Sequence, residues 1–214
     1  MLIDDKSLIS KDLNNIGSTY GMQKNEDKEI EYYTRALQVS GEIDDKYNIA
    51  FISHNIGNVY YKKGDLDTAL DYLERSLKIY EEIGDKRGMG VALANIGNVY
   101  YKKDLDTALD YYERSLTIDE ELGDKYSRGV SLYYIGEVYS DKGDLDRALD
   151  YFERSITIYE EIGDKHGMGF SLNGIGDVSL IKGYYEKALD YYERSLKIYE
   201  EIGNKIGMGV ALAN

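Results

Sequence analysis

Asn55, Asn58, Asn95 and Asn98 stand as two pairs, three residues apart within a pair and forty apart between pairs. A side-chain amide both donates and accepts, so a row of amides can hold an extended peptide backbone whatever its side chains. At the matching positions further along, the chain carries Tyr133, Tyr134 and Glu137, then Asn173 and Asp177. Polarity therefore grades from amides to carboxylates, which favours a ligand with positive residues toward the later positions. Exposed charges are screened within about 8 Å at cellular ionic strength, so this attraction serves encounter and register more than affinity. The bland alternative is that the asparagines only keep a surface wet. Asparagine is a poor helix former, which argues against that, whereas repeat duplication copies neutral residues as faithfully as useful ones.

Other chemistries find little support. His54 and His166 are over a hundred residues apart, with no recurring carboxylate beside them to build a metal pair or an activated nucleophile. Gly88 Met89 Gly90, with copies at Gly167 and Gly207, looks like a phosphate loop, but no strand precedes it and no lysine follows in frame. Asp65 Leu66 Asp67 opens like a calcium loop and lacks the later ligands. The 214 residues include no Cys, no Pro and no Trp, which removes disulfides, thiolate catalysis and zinc fingers. The expectation is a non-enzyme with no cofactor and no metal. Lys and Arg number 26 against 40 Asp and Glu, a net charge of −14, so nucleic acid and anionic lipid are disfavoured and basic partners favoured. With neither a signal peptide nor a long apolar run, the expected location is cytoplasmic.

The elements that position these residues are written five times. Gly17, Gly57, Gly97, Gly136 and Gly176 follow one another at steps of 40, 40, 39 and 40. Within a repeat, Leu93, Ile96, Gly97 and Tyr100 form a helical stripe, and a second stripe runs through Ala69, Leu70, Leu73, Ser76, Leu77 and Tyr80. Each repeat is thus two helices, A and B, separated by Lys63 Gly64 Asp65 and followed by Ile83 Gly84 Asp85, where glycine ends one helix and aspartate caps the next. A lone pair cannot bury both stripes, so neighbours must stack. The fold class is all-α, a solenoid of stacked antiparallel helix pairs in one domain. Its repeats span 5–44, 45–84, 85–123, 124–163 and 164–203, with a truncated helix A of a sixth over 204–214.

Leu93, Ile96, Gly97, Tyr100, Ala108 and Tyr112 resemble the signature positions of the tetratricopeptide repeat, over nearly the whole chain. The forty-residue length, Asn-Ile-Gly-Asn in helix A and Gly-Asp-Lys between repeats are most similar to the Pins-like spindle-orientation adaptors. Kinesin light chains and bacterial peptide-pheromone receptors resemble it more loosely. The resemblance implies a right-handed superhelix that binds peptide or protein segments on its concave face. The residues placed there are His54, Asn55, Asn58 and Tyr61; Asn95, Asn98 and Tyr101; Tyr133, Tyr134 and Glu137; Asn173 and Asp177. The lysines with which some members grip a C-terminal carboxylate are absent from these positions.

Departures from the pattern carry their own expectations. The third repeat lacks its turn glycine, so Lys103 Asp104 requires either an early end to helix A or a left-handed residue. Glu29 occupies the position of Ala69, Ala108, Ala148 and Ala188, tolerable near an open end. Asp71 with Arg75, Glu74 with Lys78, Asp110 with Arg114 and Asp150 with Arg154 are spaced for pairing along helix B, and Glu81 Glu82 with its copies forms an acidic edge. The cut sixth helix suggests weak self-association through the chain ends. Three functions fit: a scaffold binding a peptide or protein segment in the groove, a peptide-sensing regulatory domain of a larger protein, or a structural or designed array.

Overall fold

The computed structural model describes residues 3–204 and Gly207. The expected sixth helix A, apart from Asn204 and Gly207, lies outside the described residues. Ten helices occupy the rest: α1 (Ile3–Met22), α2 (Glu26–Glu42), α3 (Lys46–Lys63), α4 (Leu66–Ile83), α5 (Lys86–Tyr101), α6 (Leu105–Leu122), α7 (Lys125–Asp141), α8 (Leu145–Ile162), α9 (Lys165–Ile181) and α10 (Tyr185–Glu201). No strand occurs among the described residues, and no helix there is long and apolar enough to cross a membrane. Odd-numbered helices are the A helices and even-numbered ones the B helices. The chain divides into an N-terminal block, Met1–Lys103, holding α1 to α5, and a C-terminal block, Asp104–Asn214, holding α6 to α10.

Aspartates start the helices as their positions suggest. Asp45, Asp65, Asp85, Asp124 and Asp144 each accept a hydrogen bond from the backbone N–H three residues on, at 3.1 to 3.2 Å. Such caps satisfy amides that have no partner inside the helix. At the missing glycine the first alternative holds: α5 stops at Tyr101, Lys102 stays right-handed and Asp104 is extended at φ −157°. Among the described residues, the left-handed ones that are not glycine lie instead in the first repeat, Lys24 at φ 57° and Asp44 at φ 51°.

Packing follows both stripes. Ala69, Ala108 and Ala148 are fully buried, and a Cβ on Gly57 would stand 2.7 Å from Leu73 and 3.1 Å from the Ala69 carbonyl, so small residues let A and B approach. Stripe serines are satisfied across their hairpins: Ser76 Oγ donates to the Ala50 carbonyl, Ser155 to Gly129 and Ser195 to Gly169, at 2.8 to 2.9 Å. In the first hairpin the roles reverse, and Ser10 donates to the Ala36 carbonyl. Glu29 is buried beside Gly21, whose lack of a side chain leaves room for the carboxylate, and burial raises its pKa.

The glycines near A-helix starts answer to tyrosines rather than to phosphate. A Cβ on Gly88, Gly167 or Gly207 would run into the ring of Tyr80, Tyr159 or Tyr199. The exceptions support the rule. Where the ring position holds Ser40 or Asp119, the glycine position holds Asn48 or Ser127, and Asp119 accepts a 2.9 Å hydrogen bond from Ser131 Oγ.

The surface charges are more ordered than helix-internal spacing suggests. Arg114 and Arg154 do meet Asp110 and Asp150, at 3.7 and 3.5 Å, whereas Arg75 and Lys78, spaced alike from Asp71 and Glu74, form no ion pair with them. A second set links residues 36 apart. Within a hairpin, Lys6, Lys46, Lys125 and Lys165 reach Glu42, Glu82, Glu161 and Glu201 at 2.8 to 3.1 Å. Between repeats, Lys63, Lys103, Lys142 and Lys182 reach Asp27, Asp67, Asp106 and Asp146. Part of the expected acidic edge is therefore neutralised by lysines from the A helices.

Candidate functional site

In the N-terminal block the expected amide row exists, but its members hold one another. Asn55 Nδ2 donates to Asn14 Oδ1 at 3.0 Å, bridging α1 and α3. Asn58 Nδ2 and Asn95 Nδ2 converge on His54 Nε2 at 2.9 and 3.3 Å, and Asn98 Nδ2 reaches Asn95 Oδ1 at 3.4 Å. Asn95 Nδ2 also contacts the Val91 carbonyl at 3.0 Å. His54 thus ties α3 to α5. Burial lowers its pKa to about 4, which keeps the ring neutral so that Nε2 can accept. The ring proton then sits on Nδ1, which is buried without a partner. Tyr61 and Tyr101 lie half-buried a turn further on, with Lys102 Nζ 4.3 Å from the Tyr61 ring centre.

The C-terminal block carries the same face with different chemistry. Tyr133, Tyr134 and Glu137 are half-buried on α7, Tyr134 stacking on Tyr112 at 5.3 Å and meeting Tyr133 edge-on at 5.6 Å. Glu137 is pushed up to about 7, first by burial and then by the charges of Asp141 and Asp177. Asp177 on α9 accepts a 2.6 Å hydrogen bond from the Tyr192 hydroxyl, and burial raises it as well.

Two expected face residues are in fact covered. His54 is 9% exposed and Asn173 5%, and neither amide atom of Asn173 has a hydrogen-bond partner. Their shared position lies one step from the core stripe.

Sequence reasoning missed the clefts on this face. Between α3, α4 and α5 lies a cleft of about 660 Å³, lined by Tyr47, Phe51, His54, Asn55, Tyr80 and Arg87 among others. Its equivalent two repeats later, of about 400 Å³, lies between α7, α8 and α9 and is lined by Tyr126, Tyr133, Tyr134, Glu137, Tyr159 and Phe170 among others. Tyr47, Phe51 and Tyr126 precede the expected residues on the same A-helix face. Extending that stripe toward the helix start finds them.

The tetratricopeptide-repeat profile matches residues 48–121 and 127–201, and a second profile of the same repeat matches 13–42. A comparison with curated proteins finds no match. Among solved structures, aspartyl phosphate phosphatase F from Bacillus subtilis is similar over 97% of this chain, with TM-score 0.88 and 17% identity; the chain spans 55% of that protein. A kinesin light chain of Podosopora anserina with nearly identical TPR-like repeats is similar over 94% of this chain and 99% of its own, at TM-score 0.74 and 13% identity. The Rap conjugation gene regulator of plasmid pLS20, in complex with the Phr* peptide, is similar over 88% of this chain and 52% of its own, at TM-score 0.72 and 21% identity. At such identities these likenesses speak to fold alone. The profile, matched over more than half of the chain on helices that pack as the repeat requires, identifies it as a member of the tetratricopeptide-repeat family.

Proposed function

We propose that the chain is a non-catalytic scaffold whose A-helix faces bind a segment of a peptide or partner protein, with basic residues set against the C-terminal block. One observation carries this reading. In each block the A-helix face combines a lined cleft of several hundred Å³ with polar side chains held by neighbouring helices, Asn55 and Asn95 in the N-terminal block and Asp177, through Tyr192, in the C-terminal one. Preorganised polar groups around an apolar recess are what a peptide site needs, because little ordering cost remains to be met on binding. The amides act as a braced lattice rather than as loose hooks: His54 fixes Asn58 and Asn95, so their orientation is set before a ligand arrives.

The likeness to a Rap regulator bound to the Phr* peptide favours a second reading, in which the bound segment is a small signalling peptide and the chain is the sensing part of a larger protein. Scattering separates the two: a sensor compacts on adding its peptide, whereas a passive scaffold keeps its dimensions.

The test is an array of unrelated basic and acidic peptides probed with the purified chain. Basic peptides are expected to bind, and Asn58→Ala with Asn98→Ala is expected to weaken them at least tenfold at unchanged helicity. Retention of acidic peptides, or equal binding by the double variant, contradicts the proposal.

A further inference from the structure

We propose that the cleft between α7, α8 and α9, walled by Tyr126, Tyr133, Tyr134 and Phe170 around Glu137, receives the guanidinium of an arginine side chain. This rests on the groove reading and gives it a specificity site.

The chain itself shows how it holds a guanidinium. On the B helices a carboxylate, a tyrosine and an arginine recur five times at i, i+1 and i+4: Glu31, Tyr32 and Arg35; Asp71, Tyr72 and Arg75; Asp110, Tyr111 and Arg114; Asp150, Tyr151 and Arg154; Asp190, Tyr191 and Arg194. In every copy but that of Arg75 the guanidinium lies over the ring, 4.9 to 5.3 Å from its centre. The carboxylate stands 3.5 to 3.8 Å from the same group. The ring face attracts the cation while the carboxylate pairs with it.

The cleft supplies two of these three parts. Tyr133 and Glu137 are one turn apart on α7, and Tyr126, Tyr134 and Phe170 add further ring surface. No lysine or arginine is among the residues lining it. The equivalent cleft in the N-terminal block has the opposite balance: Arg87 is in its wall, and His54 and Asn55 stand where Tyr133 and Tyr134 do. Between the two clefts, Arg87 has become His166 and a carboxylate has entered at Glu137. Glu137 is half-buried and faces the charges of Asp141 and Asp177, so its ionised form is disfavoured until a cation arrives. Arginine suits such a site better than lysine, since a guanidinium is less strongly hydrated and stacks on rings.

The experiment titrates the full chain with N-acetyl-arginine amide, N-acetyl-citrulline amide and N-acetyl-lysine amide, followed by NMR. Arginine should shift the resonances of Tyr126, Glu137, Gly167 and Phe170 saturably, with an affinity at least fivefold above citrulline and lysine. Glu137→Gln should weaken arginine at least tenfold, and Tyr126→Leu, at a largely exposed position, should weaken it severalfold, both with unchanged helicity. Equal binding of arginine and citrulline, equal binding of arginine and lysine, shifts confined to the other block, or indifference to both substitutions overturns the proposal. A blocked amino acid needs no amide lattice, so the two readings fail separately. Arginine binding without any peptide binding removes the groove reading alone, and peptide binding indifferent to arginine removes the cleft alone.

Discussion

In the N-terminal block Tyr47 meets Tyr80 edge-on with ring centres 6.3 Å apart, and in the C-terminal block Tyr126 meets Tyr159 at 6.4 Å and almost the same angle. Gly88 makes room for one inner ring and Gly167 for the other. Around this shared frame the linings have parted: His54, Asn55 and Arg87 on one side, Tyr133, Tyr134, His166 and Glu137 on the other. Contacts that hold helices together have been kept through duplication, while residues facing the open cleft have changed in size, polarity and charge. The frame is a packing solution and the lining is a choice of ligand.

The sharpest way to break the equivalence of the frames is to fill them. Gly88→Val and Gly167→Val each force a branched side chain against a buried ring, and each should destabilise its own block by about 3 kcal/mol. Denaturant melts combined with hydrogen exchange on α3 and α7 read this; a loss in only one block means that the frames are not equivalent.

Acid should separate the linings. His54 has a folded pKa of about 4, below the histidine reference of 6.5, so its contribution is intact above pH 6.5 and is lost as pH falls toward 4. Glu137 is raised to about 7 from 4.5, so its contribution is intact below pH 4.5 and is lost as pH rises through 7. Between pH 7 and 5 the N-terminal block should lose about 2 kcal/mol through His54 while the C-terminal block gains about 2 kcal/mol through Glu137. Asp119, raised to about 6, adds to the gain, and Glu29 works against the loss, so His54→Gln isolates the histidine's share. Hydrogen exchange at both pH values, corrected for intrinsic rates, is the measurement. Parallel responses in the two blocks contradict it.

A smaller effect comes from moving one lining toward the other. Asn58→Glu places a carboxylate beside His54 and should raise the histidine's pKa by about one unit, visible in its ring NMR titration. Smallest is the backbone of the first repeat. Lys24→Gly relieves a left-handed lysine at φ 57° and should stabilise the N-terminal block by about 0.5 to 1 kcal/mol in a denaturant melt.

The helical pairs and their capping aspartates were legible because each depends on neighbours in sequence; the missing turn glycine left two endings open for α5, and the structure takes the early one. Gly88 was legible as a small residue but not as the counterpart of Tyr80, although Asp119 with Ser127 carries that covariation in the sequence itself. The bridging role of His54 was hidden, since Asn95 is reached only across helices. The covered position of Asn173 was hidden for a related reason: its place on the helical wheel is intermediate, and the packing around it decides. Tyr47, Phe51 and Tyr126 lie in the first turns of α3 and α7, ahead of the polar stripe, where only the packing of the next helix turns that stretch of the face into a cleft.

The match between Tyr80 and Gly88 is made by consecutive helices, so the steric agreement that seats a hairpin on its successor is contained in a short stretch of chain. A forty-residue copy cut between helices A and B, rather than between repeats, travels with its own fitting. A gene that gains or loses such a stretch keeps each of these joints intact, and a newly copied recess is free to be retooled for a different residue while its parent goes on serving the old one.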